Sequence, residues 1–410
     1  MKKGKQNREI VLVYGRHENG GAQRQAITLA NGLSRQGYKV SLLAIKGTVG
    51  GITPEVFFDI DDDVELVFLP EFSEKHKSDP IVTKDEKQQE KKVKRYRLLR
   101  DIGSAFGPAN TLSRKIKTIR IGKTVRPFLL LHQNAVFLAF GVDCYELIYC
   151  ASLGLKCKTV FVEITSPQEC RNCDKQRRRW LIKQADGTVF QTKDQQQWYE
   201  GYLNQNTAII YNPILRDLPA PYTGVRKPVV ANFCRMSPEK NIPLLIRAFE
   251  KLHLDYPNYT LEIYGNTVSQ REQEYRLSIG DMIDQSAARE AIHLLPPSKD
   301  IHRVVLDCAM FVSSSDFEGL SNSMIEAMAI GLPCVCTDCR GGGAREVIRD
   351  GENGLLTPVG DVDSLYEGMK RFADDPELAR RCGESASAIK QELSTERIVK
   401  QWLNVISEVM

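Results

Sequence analysis

The sequence predicts an α/β protein of two doubly wound domains, each a parallel sheet covered by helices on both faces. Three observations carry this reading. Strand-like apolar runs alternate with helix-like segments along the chain. A proline-rich stretch (Pro213, Pro219, Pro221, Pro228) interrupts that alternation in the manner of a linker. And 410 residues are long for one core but comfortable for two.

The first domain is taken as residues 1–212. Its opening strand runs over 9–14, and a glycine-containing turn, His17 to Gly21, follows. Ala22, Ala26, Leu29, Ala30 and Leu33 then recur at helical spacing until Gly37 stops the helix. Lys39 to Ile45 is the next strand, and others are expected at 128–131, 159–163, 187–191 and 208–211. Lys, Glu, Gln and Asp dominate 73–97, which reads as a mobile loop or a solvated helix. In the second domain, 213–385, strands are expected at 229–234, 260–264, 291–295, 309–313 and 333–336, with helices at 242–253 and 322–330. The remaining segment, 386–410, is expected to be a helix packing back toward the first domain. Ligands of such sheets bind at the carboxyl ends of the strands, so a crevice between two of them is the expected site.

Composition is that of an ordinary globular protein, 42% hydrophobic and 26% charged. No apolar run approaches the roughly 20 residues needed to span a bilayer. The basic start, Met1 to Lys5, leads into a strand rather than a signal-peptide core, so a cytoplasmic protein with reduced thiols is expected. Of the eleven cysteines, Cys170 and Cys173 form a C-x-x-C with no second pair at zinc spacing, and Cys334 and Cys336 lie on a buried-strand pattern. No metal site is expected.

The net charge of +4 hides an asymmetry: residues 1–212 carry +11 and residues 213–385 carry −7. Two segments stand out, 84–126 at +10 and 171–183 at +5. The second holds Arg177, Arg178, Arg179 and Trp180, which read either as an anionic-membrane docking surface on the inner face of a membrane or as a solvated helix. No nucleic-acid recognition motif accompanies the basic runs.

The chemistry concentrates near residue 320. Glu318-Gly319-Leu320-Ser321-Asn322 follows a strand ending Ser313-Ser314-Ser315 and opens a helix with Ser and Asn at capping positions. Free N–H groups and the positive end of the dipole at such a start suit a diphosphate. Glu326, in the second turn, is placed to accept both hydroxyls of a ribose, and Glu318 to face whatever the diphosphate carries. Arg235 and Lys240, just after the first strand of the second domain, offer a planar fork and a point charge for phosphate oxygens. Gly20-Gly21 lets backbone approach a ligand closely, and its spacing differs from the G-x-G-x-x-G of dinucleotide binders.

Glu318 and Glu326 form an E-x7-E pattern within EGLSNSMIEAMAIGLPCV, which resembles the signature of family 4 glycosyltransferases. The run from Gly341 to Ile348, the run from Asp350 to Leu356, the R-x-x-x-x-K of Arg235 and Lys240, and the Gly20-Gly21 loop are similar to that family in the same order. The resemblance implies a GT-B fold, two Rossmann-like domains facing across a cleft, with the donor held mainly by the second. It implies a retaining transferase that moves a hexose or N-acetylhexosamine from a nucleotide-diphosphate donor, a UDP-sugar by analogy, without metal or cofactor. The implied acceptor is a glycan or lipid-linked intermediate of surface polysaccharide or glycoconjugate assembly. A sugar phosphorylase, a disaccharide-type synthase and a non-catalytic sugar-nucleotide sensor remain alternatives on the same fold.

One departure concerns the acceptor side. Family members often carry a His at a first-domain strand end, where this chain has Glu163, Ile164 and Thr165. His132, after the expected strand 128–131, either faces the cleft or sits on the surface.

Overall fold

The computed structural model describes residues 9–16, 20–46, 58–69, 122, 124–165, 167–169, 172–203, 205–267 and 269–410. The chain divides into two compact units. One comprises Met1–Phe190, Gln196–Ile210 and Val399–Met410; the other comprises Gln191–Gln195 and Tyr211–Ile398.

In the first unit the described elements are β1 (Glu9–Arg16), α1 (Gly21–Arg35), β2 (Lys39–Lys46), β3 (Val64–Phe68), α2 (residues 124–131), β4 (Val136–Phe140), α3 (Val142–Ser152), β5 (Lys158–Val162), α4 (Asn172–Ile182), β6 (Gly187–Phe190), α5 (Lys193–Trp198) and β7 (Thr207–Ile209). Helix α5 begins in residues assigned to the second unit. The strands form one parallel sheet in the order β3-β2-β1-β4-β5-β6-β7. Ile10 to Val13 and Phe137 to Ala139 are fully buried, because both faces of a parallel sheet are covered and its strands read as continuous apolar runs.

That same property explains one misreading. Residues 128–131 are helical, and the neighbouring strand is Val136–Phe140. Both are short apolar runs, and periodicity cannot separate a buried strand from a buried helical turn over so few residues. Gly141, at φ 87°, then turns the chain out of β4, and its N–H donates to Val162 O at 2.8 Å.

The second unit repeats the plan with β8 (Lys227–Arg235), α6 (Ile242–Asp255), β9 (Thr260–Asn266), α7 (Gln270–Asp284), β10 (Ile292–Leu295), α8 (Ile301–Val304), β11 (Cys308–Ser313), α9 (Asn322–Ala329), β12 (Cys334–Thr337), α10 (Gly343–Val347), β13 (Leu355–Thr357), α11 (Val362–Asp374), α12 (Pro376–Ala386) and α13 (Ile389–Glu392). Its sheet is parallel, ordered β10-β9-β8-β11-β12-β13. Helix α6 shows how local sequence builds this unit. Asn241, left-handed at φ 44°, caps it by accepting from Leu244 N at 3.3 Å, and Pro243 follows in the first turn. Leu244, Leu245, Ala248, Phe249 and Leu252 then bury one face in the core.

The last helix, α14 (Thr395–Val409), starts in the second unit and ends in the first, where Trp402 lies 6.3 Å from the Phe140 ring. Among the described residues no helix is long and apolar enough to cross a membrane. The nine described cysteines are unpaired, while the side chains of Cys170 and Cys173 lie outside the described residues.

Candidate active site

In the second sheet, strand order reverses between β8 and β11, so the crevice beyond their carboxyl ends is the binding position that topology provides. Arg235 ends β8, the loop after it carries Lys240, and the loop after β11 carries Glu318. The two loops are tied together. Ser314 Oγ donates to Lys240 O at 2.9 Å, Asp316 N to Glu239 O at 2.9 Å, and Asn241 Nδ2 to Asp316 Oδ1 at 2.7 Å. On this frame the Lys240 ammonium donates directly to Glu318 Oε2. Burial works against the lysine charge, but Glu318 outweighs it and holds the Lys240 pKa above its ordinary value. The ammonium is therefore a fixed, permanent cation.

Arg235 is held by two carboxylates, Glu239 at 2.9 Å and Glu272 at 3.3 Å. The side chain is 43% exposed, so desolvation only partly opposes its charge, and these partners hold its pKa above the ordinary value. Two cations and their counter-carboxylates thus stand together at the mouth of the sheet.

The glutamate loop is placed from its other side by backbone packing. Glu318 N donates to Arg340 O at 3.0 Å. A Cβ at Gly343 would run into Gly319 O, so only glycine lets α10 come this close to the loop. Ser321 caps α9 through Met324 N, and Leu320 is buried. Asn212, itself buried, donates to Leu320 O at 3.0 Å and to Asn322 Oδ1 at 2.9 Å, with its own Oδ1 taken by Gln191 Nε2 at 2.8 Å. Further along, Glu346 accepts from Tyr211 Oη at 2.8 Å and from Lys193 N at 2.7 Å.

Glu326 is 2% exposed, and its Oε2 lies 2.9 Å from His302 Nε2 on α8. His302, Asn212 and Glu346 escaped the sequence reading as site residues. None sits in a local pattern with the glutamates. His302 is 24 residues from Glu326 and Asn212 is 110 from Asn322, and only the sheet order brings them together.

Arg235, Lys240, Glu318, Gly319, Leu320, Ser321, Asn322 and Glu326 all belong to the second unit. The first-unit expectations fare differently. Gly20 caps α1 at φ −119°, a conformation open to any residue, and Gly21 is exposed. His132 follows helix α2, not a strand; it stacks on Phe128, and its Nδ1 is 3.0 Å from Glu9 Oε2. Glu9 opens β1, so His132 stands at the amino edge of the sheet, away from the ligand-binding ends.

Glu163 does sit just past a strand's carboxyl end but is fully buried, which corrects its expected acceptor contact. It accepts from Arg178 and Tyr199 at 2.5 Å each, from Ile164 N at 3.1 Å, and from Thr165 N and Oγ1 at 3.2 and 3.0 Å. A buried carboxylate needs this many donors. Thr165 is exposed, tethered to that carboxylate.

The docking reading of Arg177 to Trp180 is also corrected. Arg177 and Arg178 are 4% and 6% exposed. Arg177 pairs with Glu146 at 2.5 Å and Asp143 at 2.7 Å, Arg179 lies 4.5 Å over Trp198, and Trp180 packs edge-on against Tyr149. Apart from Asp174, 3.7 Å from Arg177, their partners come from elsewhere in the chain, which a local charge count cannot see. Most of the other basic segment, 84–126, lies outside the described residues.

A pair of Rossmann-like sheets, the second with cations and carboxylates gathered at its switch point, is the GT-B class of protein. Residues 222–388, which hold that second sheet together with Arg235, Lys240, Glu318 and Glu326, match the family model described as glycosyl transferases group 1. It is 22% identical over 388 residues to an uncharacterized glycosyltransferase of Haemophilus influenzae, covering 94% of this chain and 96% of the relative. It is 30% identical over 172 residues to the N-acetylgalactosamine-N,N'-diacetylbacillosaminyl-diphospho-undecaprenol 4-alpha-N-acetylgalactosaminyltransferase of Campylobacter jejuni, covering 42% and 44%. Among curated relatives, the matched length ranges from 17% to 96% of the relative. The crystal structure of S. aureus TarM in complex with Fondaparinux, alpha-GlcNAc-glycerol and UDP superposes with a TM-score of 0.74 at 14% identity, over 97% of this chain and 99% of that one.

Proposed function

We propose that the chain transfers a hexose or N-acetylhexosamine from a UDP-sugar to a glycan or lipid-linked acceptor in surface-polysaccharide assembly, retaining anomeric configuration and needing no metal. The observation that carries this is the Lys240–Glu318 pair fixed at the switch point of the second sheet, with Arg235 beside it. Breaking a glycosyl–diphosphate bond puts negative charge on the leaving phosphate. Arg235 and Lys240 are preorganised to meet that charge, aided by the N–H groups that open α9. Glu318 orients the lysine in the resting site and faces the sugar once the diphosphate takes the lysine over. Glu326 holds the ribose of the donor. UDP in the TarM complex and the undecaprenol-linked acceptor named for the Campylobacter relative support the donor and acceptor classes. Metal independence is supported by the two cations themselves, which supply positive charge of the kind a divalent ion would otherwise bring to the diphosphate.

The test is release of nucleoside diphosphate from a panel of UDP-, GDP- and ADP-sugars, in EDTA, with lipid-linked and soluble glycan acceptors. Turnover of a UDP-sugar with an α-linked product from an α-linked donor is expected. Strict dependence on Mn²⁺ or Mg²⁺, or an inverted product, would refute the mechanism.

A further inference from the structure

We propose that His302 is the positioning residue for Glu326 and thereby sets the preference for a ribonucleotide donor over its 2′-deoxy counterpart. This rests on the donor reading of the second unit and adds to it a residue that no sequence motif marks.

Glu326 projects from the second turn of α9 and is almost completely buried. A carboxylate so placed keeps its charge only if polar hydrogens reach it, and its rotamer is set by where those hydrogens stand. His302 supplies one. Its Nε2 is 2.9 Å from Glu326 Oε2, within ordinary hydrogen-bond range. The imidazole is itself held, with its ring edge-on to Phe233 at 6.0 Å and only 13% of the side chain exposed. Phe233 in turn packs at 4.9 Å on Phe311. Two central strands, β8 and β11, therefore fix the ring, and the ring fixes one oxygen of the carboxylate.

The consequence concerns recognition. A ribose presents two adjacent hydroxyls, and a carboxylate accepts both only in one orientation. With the imidazole N–H engaging Oε2 from α8, rotation of the carboxylate is restricted, so the ordering cost is met before the nucleotide arrives. Without that N–H, the carboxylate turns to other donors, and the 2′-hydroxyl loses its acceptor. His302 acts through Glu326 and need not touch the nucleotide.

The experiment measures affinity by calorimetry for UDP against 2′-deoxy-UDP, with GDP against 2′-deoxy-GDP in parallel. It compares the intact chain, Glu326→Gln, His302→Phe and His302→Gln. The intact chain is expected to prefer the ribonucleotide by about tenfold or more, the size of one hydrogen bond to a charged acceptor. His302→Phe keeps the ring but not the N–H and is expected to bring that ratio close to one, as Glu326→Gln does. His302→Gln, which restores an N–H at similar reach, is expected to recover most of it.

A merely structural role for His302 would weaken both nucleotides equally and leave the ratio unchanged, which overturns the proposal. If Glu326→Gln flattens the ratio but His302→Phe does not, the positioning role fails and the donor reading stands. If the intact chain shows no ribose preference at all, the ribose role of Glu326 fails and the proposal with it.

Discussion

Under the proposed function, Lys240 is a cation whose partner must be shared when a diphosphate arrives. Pairing with Glu318 keeps the ammonium charged and aimed, yet leaves a donor whose loyalty can shift to phosphate oxygens. Lys240→Ala and Arg235→Ala are each expected to lower turnover by about 10² or more, the usual loss when one fixed donor to a developing charge is removed. Steady-state release of nucleoside diphosphate measures it. The raised lysine pKa adds a pH expectation. Lys240 stays protonated beyond its ordinary 10.5, so titration of this group should not reduce turnover between pH 7 and 10. The pair's contribution to stability has the same sign: full below the unfolded lysine pKa, and lost as pH rises through the raised native value. As candidate-site positions, Arg235, Lys240, Glu318 and Glu326 were legible in the sequence because each sits in a local pattern at a strand end, loop or early helical turn. His302 and Asn212 were not, since their roles exist only after the sheet has formed.

At the level of elements, backbone fit places the glutamate loop as much as side-chain chemistry does. Gly343→Ala would force a Cβ into Gly319 O and must push α10 or the loop aside. A cost of about 1–3 kcal/mol is expected from such overpacking, with turnover falling further than stability because the loop carries Glu318. Thermal melts beside turnover separate the two effects. In the first unit, Glu163→Ala would leave Arg178 buried without its carboxylate, at an expected cost of about 3–5 kcal/mol in denaturant unfolding. Elements were unevenly readable for a related reason. Arg177 and Arg178 looked like part of a free basic stripe because the acids nearest to them, Asp143, Glu146 and Glu163, lie 15 to 34 residues away. The apolar run 128–131 passed for a strand while Val136–Phe140, equally apolar, went unmarked.

For the molecule as a whole, two parallel sheets were foreseeable because alternating strand and helix periodicity is a local property, whereas their matching strand order is set by tertiary pairing. Where the units divide was less so. The chain enters the second unit at Gln191–Gln195, returns to the first, and leaves again at Tyr211, a path set by tertiary contacts. A nucleotide that binds only the folded second unit should raise its apparent stability by mass action, by about 2.7 kcal/mol at a hundredfold excess over Kd. The most direct measurement is therefore a calorimetric titration of UDP, in EDTA, into the intact chain and into the Lys240→Ala and Arg235→Ala variants. Saturable binding to the intact chain, weakened at least tenfold in both variants that still fold, is the expected result. No UDP binding, or equal binding to all three proteins, would contradict a donor site built on these two cations.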